Sequence, residues 1–290
     1  MEFVTPVEIP SAPGTVTLGS RIMLLGSCFA DNIGARLQRG GFDVCVNPFG
    51  TLYNPASLSG ALSRLADPVP FAAQDCVETG LAGRLVCSWQ HHTSFARGSV
   101  ESFLEYANAA LEQAAAYWQG ADTLIVTLGT AFVWELVCDG RTVSNCLKRP
   151  AAEFRHRRLS VAEILAHLEK IRELAGSRKI IFTVSPVRHV GDGAHQGQLS
   201  KASLLLALDS CLSAHPEGAC YFPAYELLLD ELRDYRFYAA DMKHPSEVAV
   251  EFIWERFLKA YLPKAELEKV AANEKAARFA AHRPMHQAAE

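Results

Sequence analysis

A glycine, a serine and a cysteine stand together where an apolar segment changes into a helical pattern, at Gly26, Ser27 and Cys28. The apolar residues before Gly26 predict a buried strand, and the spacing of apolar residues after Cys28 predicts a helix. The serine hydroxyl would then lie at the ligand-binding edge of a sheet, beside the unpaired N–H groups of a helix N-terminus. Ser27 is therefore a candidate nucleophile whose own N–H would bind a tetrahedral oxyanion, although a serine here could also only cap the helix.

A base for this serine is present far along the chain, in the segment Asp-Met-Lys-His-Pro of residues 241–245. The Asp-x-x-His spacing can join the Asp241 carboxylate to Nδ1 of His244, which leaves Nε2 free to accept a proton from a hydroxyl. Pro245 suits the first position of a helix and places His244 near the helix cap, so a plain capping loop is the alternative. Together with Ser27, this spacing predicts a Ser-His-Asp triad for acyl transfer.

Other polar residues are candidates for substrate binding or for nucleophilic attack. His91 and His92 could line the pocket or form a polar pair on an exposed loop. Arg188 and His189 follow the fourth predicted strand; Arg188 could bind a carboxylate or a sugar hydroxyl, or take part in a structural ion pair. Cys28 is the alternative nucleophile because a thiol is intrinsically more reactive, but its place one residue into the helix predicts that it turns toward the core.

An alternation of strands and helices would position these residues. Five apolar segments predict strands, at residues 22–25, 42–46, 123–128, 179–184 and 219–222. Helices are predicted between them, with start signals at Asn54-Pro55 and at a capping box of Ser160 and Glu163. The alternation predicts an α/β fold with a mostly parallel sheet covered on both faces, which binds ligands beyond the carboxyl ends of its strands.

Two segments depart from this alternation. Residues 66–100 predict an insertion with a small β element, and the Ala/Glu/Lys-rich residues 264–290 predict a helical tail. The tail would lie on the body of the protein or pair with a second copy of the chain in a homo-oligomer. We accordingly interpret residues 1–263 as one domain and the tail as its C-terminal extension.

The composition argues against several function classes. The chain has 290 residues, 49% of them hydrophobic, and a formal charge of −4, so we expect no nucleic-acid partner. We find no apolar segment long enough to span a bilayer and no secretion signal, and therefore expect no membrane partner. The eight cysteines form no Cys-x-x-Cys pair, which predicts reduced thiols in a cytoplasmic protein. No metal-ligand spacing is present, so we expect neither a metal nor a cofactor.

The pentapeptide Gly-Ser-Cys-Phe-Ala at residues 26–30 resembles the signature of the GSCFA family. Further segments resemble the same family, at residues 47–51, 91–95, 128–134, 185–189 and 282–284. GSCFA proteins are in turn similar to the SGNH (GDSL-like) hydrolases. The resemblance implies a three-layer α/β/α sandwich with a five-stranded, flavodoxin-like sheet, and a triad of Ser27, Asp241 and His244.

The resemblance also implies which groups would bind the oxyanion. In SGNH hydrolases these are the N–H groups of the serine and of a glycine, together with an asparagine amide, so Ser27 and Gly50 would supply the N–H groups. Ala131 stands where the asparagine is expected, and we therefore expect Thr130 or Asn145 to replace it. The implied function is hydrolysis of a small-molecule or carbohydrate ester. Acyl transfer by the same triad, and a non-catalytic binding module of the same fold, are the alternatives.

Overall fold

The computed structural model describes residues 4–12 and 14–281. The strands in these residues are β1 (Arg21–Gly26), β2 (Asp43–Val46), β3 (Cys76–Glu78), β4 (Val86–Ser88), β5 (Thr123–Leu128), β6 (Phe132–Leu136), β7 (Thr142–Val143), β8 (Phe154–Arg158), β9 (Lys179–Val184) and β10 (Ala219–Phe222). The helices are α1 (Cys28–Gly40), α2 (Pro55–Ala66), α3 (Val100–Gly120), α4 (Val161–Ala175), α5 (Ala194–Ala214), α6 (Ala224–Glu226), α7 (Glu247–Tyr261) and α8 (Lys264–Ala281), with a π-helical turn at Leu227–Leu232.

The five strands predicted from the sequence form one parallel sheet, in the spatial order β10-β9-β5-β1-β2. Successive side chains of a strand point to opposite faces. Leu25 of β1 therefore packs on the layer of α2 to α5, while its neighbour Leu24 packs on the layer of α1, α7 and α8. Because both faces are buried, the strands are almost continuously apolar. The predicted α/β fold and three-layer sandwich are confirmed.

Polar side chains define where the long helices begin. Asn54 caps α2, and Ser160 and Glu163 form the capping box of α4, as the sequence predicts. The prediction for α7 was wrong in detail, because Ser246 caps this helix and Pro245 lies before it. His244 therefore lies in the loop that precedes the cap, where it is free of the helix.

A small antiparallel sheet of β7, β6 and β8 was not predicted from the sequence. Strand β8 carries Arg155 and Arg157, which hide the usual apolar alternation of a strand. Both guanidinium groups pair with the carboxylate of Glu135, at 2.5 Å and 2.8 Å, and this carboxylate is buried in β6. Charge pairing thus stabilises a strand that hydrophobic periodicity does not reveal. The small β element expected within residues 66–100 is the hairpin of β3 and β4.

The C-terminal helix α8 lies on the body of the protein. Val270 is fully buried in the core on this side of the sheet. Asn273 donates from Nδ2 to the carbonyl oxygen of Gly40 at the end of α1 (2.8 Å), and Glu274 accepts the indole N–H of Trp254 in α7 (2.7 Å). The first of the two expected placements of the tail is thus the one observed for residues 264–281. Residues 282–284, which also entered the resemblance, lie outside the described residues.

The eight cysteines, all within the described residues, are free. None of the described helices combines the length and the apolar character that crossing a bilayer requires.

Candidate active site

The turn after β1 depends on a glycine. Gly26 has a φ of +150°, and a Cβ placed on it would lie 2.2 Å from Oγ1 of Thr127 on the neighbouring strand β5. Its N–H donates to Oδ1 of Asn47 (2.8 Å), whose Nδ2 in turn donates to Oδ1 of Asp31 in α1 (2.7 Å). The sequence analysis assigned no role to Asn47, because its two hydrogen-bond partners, Gly26 in β1 and Asp31 in α1, are distant from it in the sequence. The amide fixes the carboxyl end of β1 relative to α1.

Ser27 is fully buried and caps α1. Its backbone N–H donates to the carbonyl oxygen (3.2 Å) and to Oγ1 (3.0 Å) of Thr127. Its Oγ accepts the N–H of Phe29 at 3.3 Å and lies 3.4 Å from Oγ1 of Thr127. In the described part of the chain, no hydrogen bond joins Ser27 to His244. The capping role that the sequence left as an alternative is therefore present, and the nucleophile assignment stays a prediction.

Cys28 follows Ser27 as the first residue of α1. It packs in part against the core on the α1 side of the sheet, as expected, yet it remains partly exposed. Burial, followed by the charge of Asp31, raises the pKa of its thiol, while the N–H groups of Cys28 and Phe29 and the ammonium of Lys201 lower it. The two neighbouring candidates thus differ in access, because Ser27 is enclosed and Cys28 is not.

Asp241 and His244 form the hydrogen-bonded pair that the Asp-x-x-His spacing predicts. Nδ1 of His244 lies 2.6 Å from Oδ2 of Asp241, and Oδ1 of Asp241 accepts the N–H groups of Lys243 (2.9 Å) and His244 (3.0 Å). The hydrogen bond from the His244 ring, followed by these two backbone donors, holds the pKa of Asp241 well below its usual range. Both side chains are 45% exposed. A carboxylate on Nδ1 leaves Nε2 to face a reacting group.

Arg188 holds this loop in place. Its backbone N–H donates to the carbonyl oxygen of Lys243 (3.0 Å), and its Nη1 donates to that of Met242 (2.9 Å). Its guanidinium carbon also lies 5.5 Å from the ring centroids of Tyr235 and Tyr238, within cation–π range. The sequence predicted Arg188 as a substrate-binding residue or as part of an ion pair. Its contacts make it a tether between the end of β9 and the loop that carries His244.

His189 lies beside the residue that follows β5, Gly129. Its ring packs edge-on against Tyr53 (6.0 Å between centroids), and its buried Nε2 has no hydrogen-bond partner among the described residues. A Cβ on Gly129, at the end of β5, would lie 3.3 Å from this nitrogen. Burial, then the charges of Lys201 and His244, lowers the pKa of His189 to about 4, so the ring is neutral at neutral pH.

Lys201 is a site residue that the sequence analysis missed. It is 4% exposed, and its Nζ donates to the carbonyl oxygens of Gly129 (2.6 Å) and Ser185 (2.7 Å), just beyond the carboxyl ends of β5 and β9. Burial lowers its pKa to about 7. A signal was available, because Lys201 stands three and seven residues before Leu204 and Leu208, on the buried face of α5.

Two groups predicted to bind an oxyanion, the N–H of Gly50 and the hydroxyl of Thr130, are engaged within the chain, and Asn145 is engaged through its side-chain oxygen. The N–H of Gly50 donates to the carbonyl oxygen of Asn47 (2.8 Å). The hydroxyl of Thr130 lies 3.0 Å from Oγ of Ser200 and accepts the N–H of Phe132 (3.1 Å). Oδ1 of Asn145 accepts the N–H of Leu147 (2.8 Å), an Asx turn. The proposed roles of Gly50, Thr130 and Asn145 stay predictions.

His92 lies beside the turn that contains Gly50. A Cβ on Gly50, whose φ is +78°, would lie 2.4 Å from Cβ of His92. Nδ1 of His92 lies 3.0 Å from Oγ of Ser94. Burial lowers the pKa of His92, while the charge of Asp31 acts to raise it. Its neighbour His91 is fully buried among aromatic rings and holds a pKa of about 3. The pair is therefore divided between the core and the ligand edge.

A cavity of about 630 Å³ lies along α2 and is lined in part by residues of the segment 66–100 and by Arg141, Thr142 and Ser144. Neither Ser27 nor His244 lines it. Among the residues that the structure describes, no group of three His, Cys, Asp or Glu side chains could hold a metal ion.

Comparison with known protein families identifies a match. The model of the GSCFA family matches residues 21–257, a span that includes both the turn after β1 and the Asp241–His244 loop. No curated protein matches the chain.

Proposed function

This chain belongs to the GSCFA family, and from that premise we propose that it is an acyl hydrolase of the SGNH type, cleaving an ester of a small molecule or a carbohydrate. The observation that carries the proposal is the 2.6 Å contact between Nδ1 of His244 and the Asp241 carboxylate. This carboxylate is held ionised by its hydrogen bonds, so it stabilises an imidazole that takes up a proton.

The reaction would proceed in two displacements. Nε2 of His244 accepts the proton of a nucleophile on the turn after Gly26, for which the sequence predicts Ser27, while the nucleophile attacks the acyl carbon. The C–O bond of the ester then breaks, and His244 returns the proton to the leaving alcohol. Water attacks the acyl-enzyme by the same route and releases the carboxylic acid. Asp241 keeps the imidazole in the required tautomer throughout.

The test is hydrolysis of aryl esters with acyl chains of increasing length, with acetylated sugars alongside. His244→Ala is expected to lower kcat/KM by about three or more orders of magnitude, because triad members act as a unit. His215→Ala is the matched control, since His215 is 44% exposed and pairs with the Glu169 carboxylate at 3.1 Å. Equal activity of the two variants would refute the proposal.

A specific observation favours the non-catalytic binding module as a second candidate. The N–H groups of Ser27 and Gly50 and the hydroxyl of Thr130 are all hydrogen-bonded within the chain, whereas a working oxyanion hole needs free donors. A binding module would bind acylated sugars in calorimetry and release no acid from any ester of the panel. Acyl transfer by the same triad would instead give a product that appears only with an added sugar acceptor.

A cytoplasmic location is a further part of the proposal. Its support is the free state of all eight cysteines, which a reducing compartment maintains. Fractionation of cells that express the full chain would test it.

A further inference from the structure

We propose that the cavity along α2 is a second ligand-binding site, which takes the ring of a neutral sugar. Its volume of about 630 Å³ falls within the range of about 300–1,000 Å³ that is usual for small-molecule pockets. Because neither Ser27 nor His244 lines this cavity, the inference does not rest on the proposed hydrolase function.

The first argument is a buried hydroxyl on the cavity wall that the fold does not use. Ser57 lies in the first turn of α2, lines the cavity and is only 7% exposed. Its backbone N–H donates to Oδ1 of Asn54 (2.9 Å), whereas its Oγ has no hydrogen-bond partner in the described chain. Ser63 on the same wall differs, because its hydroxyl donates to the carbonyl oxygen of Ser59 (2.8 Å). Buried hydroxyls are normally hydrogen-bonded, so Oγ of Ser57 indicates a polar ligand in the cavity.

The second argument is a glycine that leaves the cavity open. Gly60 lies three residues after Ser57 in α2 and also lines the cavity. Glycine destabilises a helix interior relative to alanine, because a more flexible backbone has to be ordered. No atom lies within 4 Å of a Cβ placed on Gly60, and its backbone is not left-handed. Neither crowding nor backbone conformation therefore requires a glycine, and its effect is to leave space beside the unused hydroxyl.

The third argument is that the charges on the cavity wall balance. The charged residues among those that line the cavity are Arg64, Arg141, Asp67 and Asp75. The guanidinium of Arg64 also donates to the carbonyl oxygen of Val69 (2.6 Å). Two positive and two negative side chains give no excess charge for a phosphate, a carboxylate or an amine to neutralise. The wall therefore favours a ligand that is polar and uncharged.

The remaining groups of the wall match a sugar ring. Gln74, Gln90 and Thr142 supply amide and hydroxyl groups, and Trp89 supplies an aromatic ring that is partly exposed. Sugar hydroxyls donate to and accept from such amides and hydroxyls, and the C–H face of a sugar ring packs on an indole. A pocket that combines apolar and aromatic contacts with a few polar groups is the usual form of a small-molecule site.

The experiment measures the binding of D-glucose, D-xylose and N-acetyl-D-glucosamine to the full chain by saturation-transfer difference NMR. Gly60→Leu, which fills the cavity, is expected to abolish binding of the sugar that the wild type binds. Ser57→Ala is expected to raise its Kd about five- to tenfold, as for one lost hydrogen bond. Both variants should unfold in urea at or above the wild-type midpoint, because one loses an unpaired buried hydroxyl and the other loses a helix glycine.

Two variants outside the cavity are the matched controls and should keep the wild-type Kd. Gly98→Leu adds the same side chain at an exposed glycine that also has no atom within 4 Å of its Cβ position. Ser210→Ala removes an exposed hydroxyl that donates to the carbonyl oxygen of Leu206 in α5 (2.9 Å).

His244→Ala separates this cavity from the candidate active site, and it should also keep the sugar signal. A signal that is lost in His244→Ala and kept in Gly60→Leu would place the sugar at the candidate active site and overturn the inference. It would equally be overturned if the wild type bound no sugar of the panel, or if it bound decanoate in their place. A marked loss of stability in Ser57→Ala would show that the fold uses its hydroxyl, which also contradicts the inference. Sugar binding in a protein that hydrolyses no ester would refute only the hydrolase proposal. If Gly60→Leu does not fold, Ser57→Ala and His244→Ala still decide.

Discussion

Ser27 stands on a turn enclosed by the central sheet, whereas Asp241 and His244 stand on a loop and their side chains are 45% exposed. The turn is held by partners from distant segments, such as the pairing of Gly26 with Thr127. The loop is held mainly by itself, because Asp241 accepts the N–H groups of its own next residues. Hydrogen bonds between residues two or three positions apart thus hold His244, the proposed base. Packing between distant segments holds the turn after Gly26, which would carry the nucleophile.

This difference has a consequence for mutation. A change in the turn must disturb packed strands, and its cost appears in the free energy of unfolding. A change in the loop alters the position of one imidazole, and its cost appears in kcat. Arg188 links the loop to the segment that follows β9. A change at Arg188 is therefore expected to affect both kcat and the free energy of unfolding.

Gly26→Ala is expected to have the largest effect. Its Cβ would lie 2.2 Å from Oγ1 and 2.3 Å from the carbonyl oxygen of Thr127, and neither atom can move without disturbing β5. We expect a loss of about 3 kcal/mol or more in the free energy of unfolding, measured by urea denaturation. Gly60→Ala is the control: no atom lies within 4 Å of its Cβ position in α2, and a gain of about 0.5–1 kcal/mol is expected. An unchanged urea midpoint for Gly26→Ala would show that the turn is not rigid.

Lys201→Met tests whether the buried lysine makes the free energy of unfolding depend on pH. The folded-state pKa of Lys201, about 7, lies below the usual lysine value of 10.5, so above pH 7 the unfolded chain binds more protons than the folded one. Its contribution to the free energy of unfolding therefore rises with pH, by up to about 1.4 kcal/mol per unit, between pH 7 and 8.5. Lys201→Met should lose this slope in urea denaturation, while Lys170→Met, at an exposed position of α4, should keep it. Equal slopes in both variants would contradict the prediction.

Arg188→Gln tests the contact between Arg188 and the loop that carries His244. Removing the guanidinium takes away the bond to the carbonyl oxygen of Met242 and the contact with Tyr235 and Tyr238. We expect kcat to fall about tenfold, since a small misplacement of a base is costly, with about 1 kcal/mol or less lost in unfolding. Arg236→Gln is the control, because that side chain is 75% exposed and its contacts, an ion pair with Asp234 and the ring of Phe237, lie within its own segment. A change in KM alone would instead support the predicted substrate-binding role of Arg188.

Met242→Gly should have the smallest effect. Met242 has a φ of +58° and a 47% exposed side chain, so glycine relieves a left-handed conformation without opening a cavity. Compared with Met242→Ala, which keeps that conformation, Met242→Gly should be more stable by up to about 1 kcal/mol in thermal unfolding. A lower stability for the glycine variant would mean that the loop is not held by its own hydrogen bonds.

The sequence by itself determined the main sheet, the caps of α2 and α4 and the Asp241–His244 pair. These features depend on residues a few positions apart: apolar runs for strands, a polar side chain and the next turn for caps, and three residues for the pair. Such short-range patterns can be recognised from the sequence because few alternative partners compete for the same residues. Strand β8 was not predicted for the opposite reason: its arginine side chains pair with Glu135, about twenty residues away in the sequence.

Only the tertiary structure decided which groups at the ligand edge are free. Ser27 and Thr127 are 100 residues apart, and Arg188 and Met242 are 54 apart, so no local pattern shows that the first pair encloses a hydroxyl and the second tethers a loop. Lys201 likewise has its partners on other elements, 72 and 16 residues away. A donor can serve a substrate only if no residue of the fold already holds it, and that condition depends on every neighbour in space.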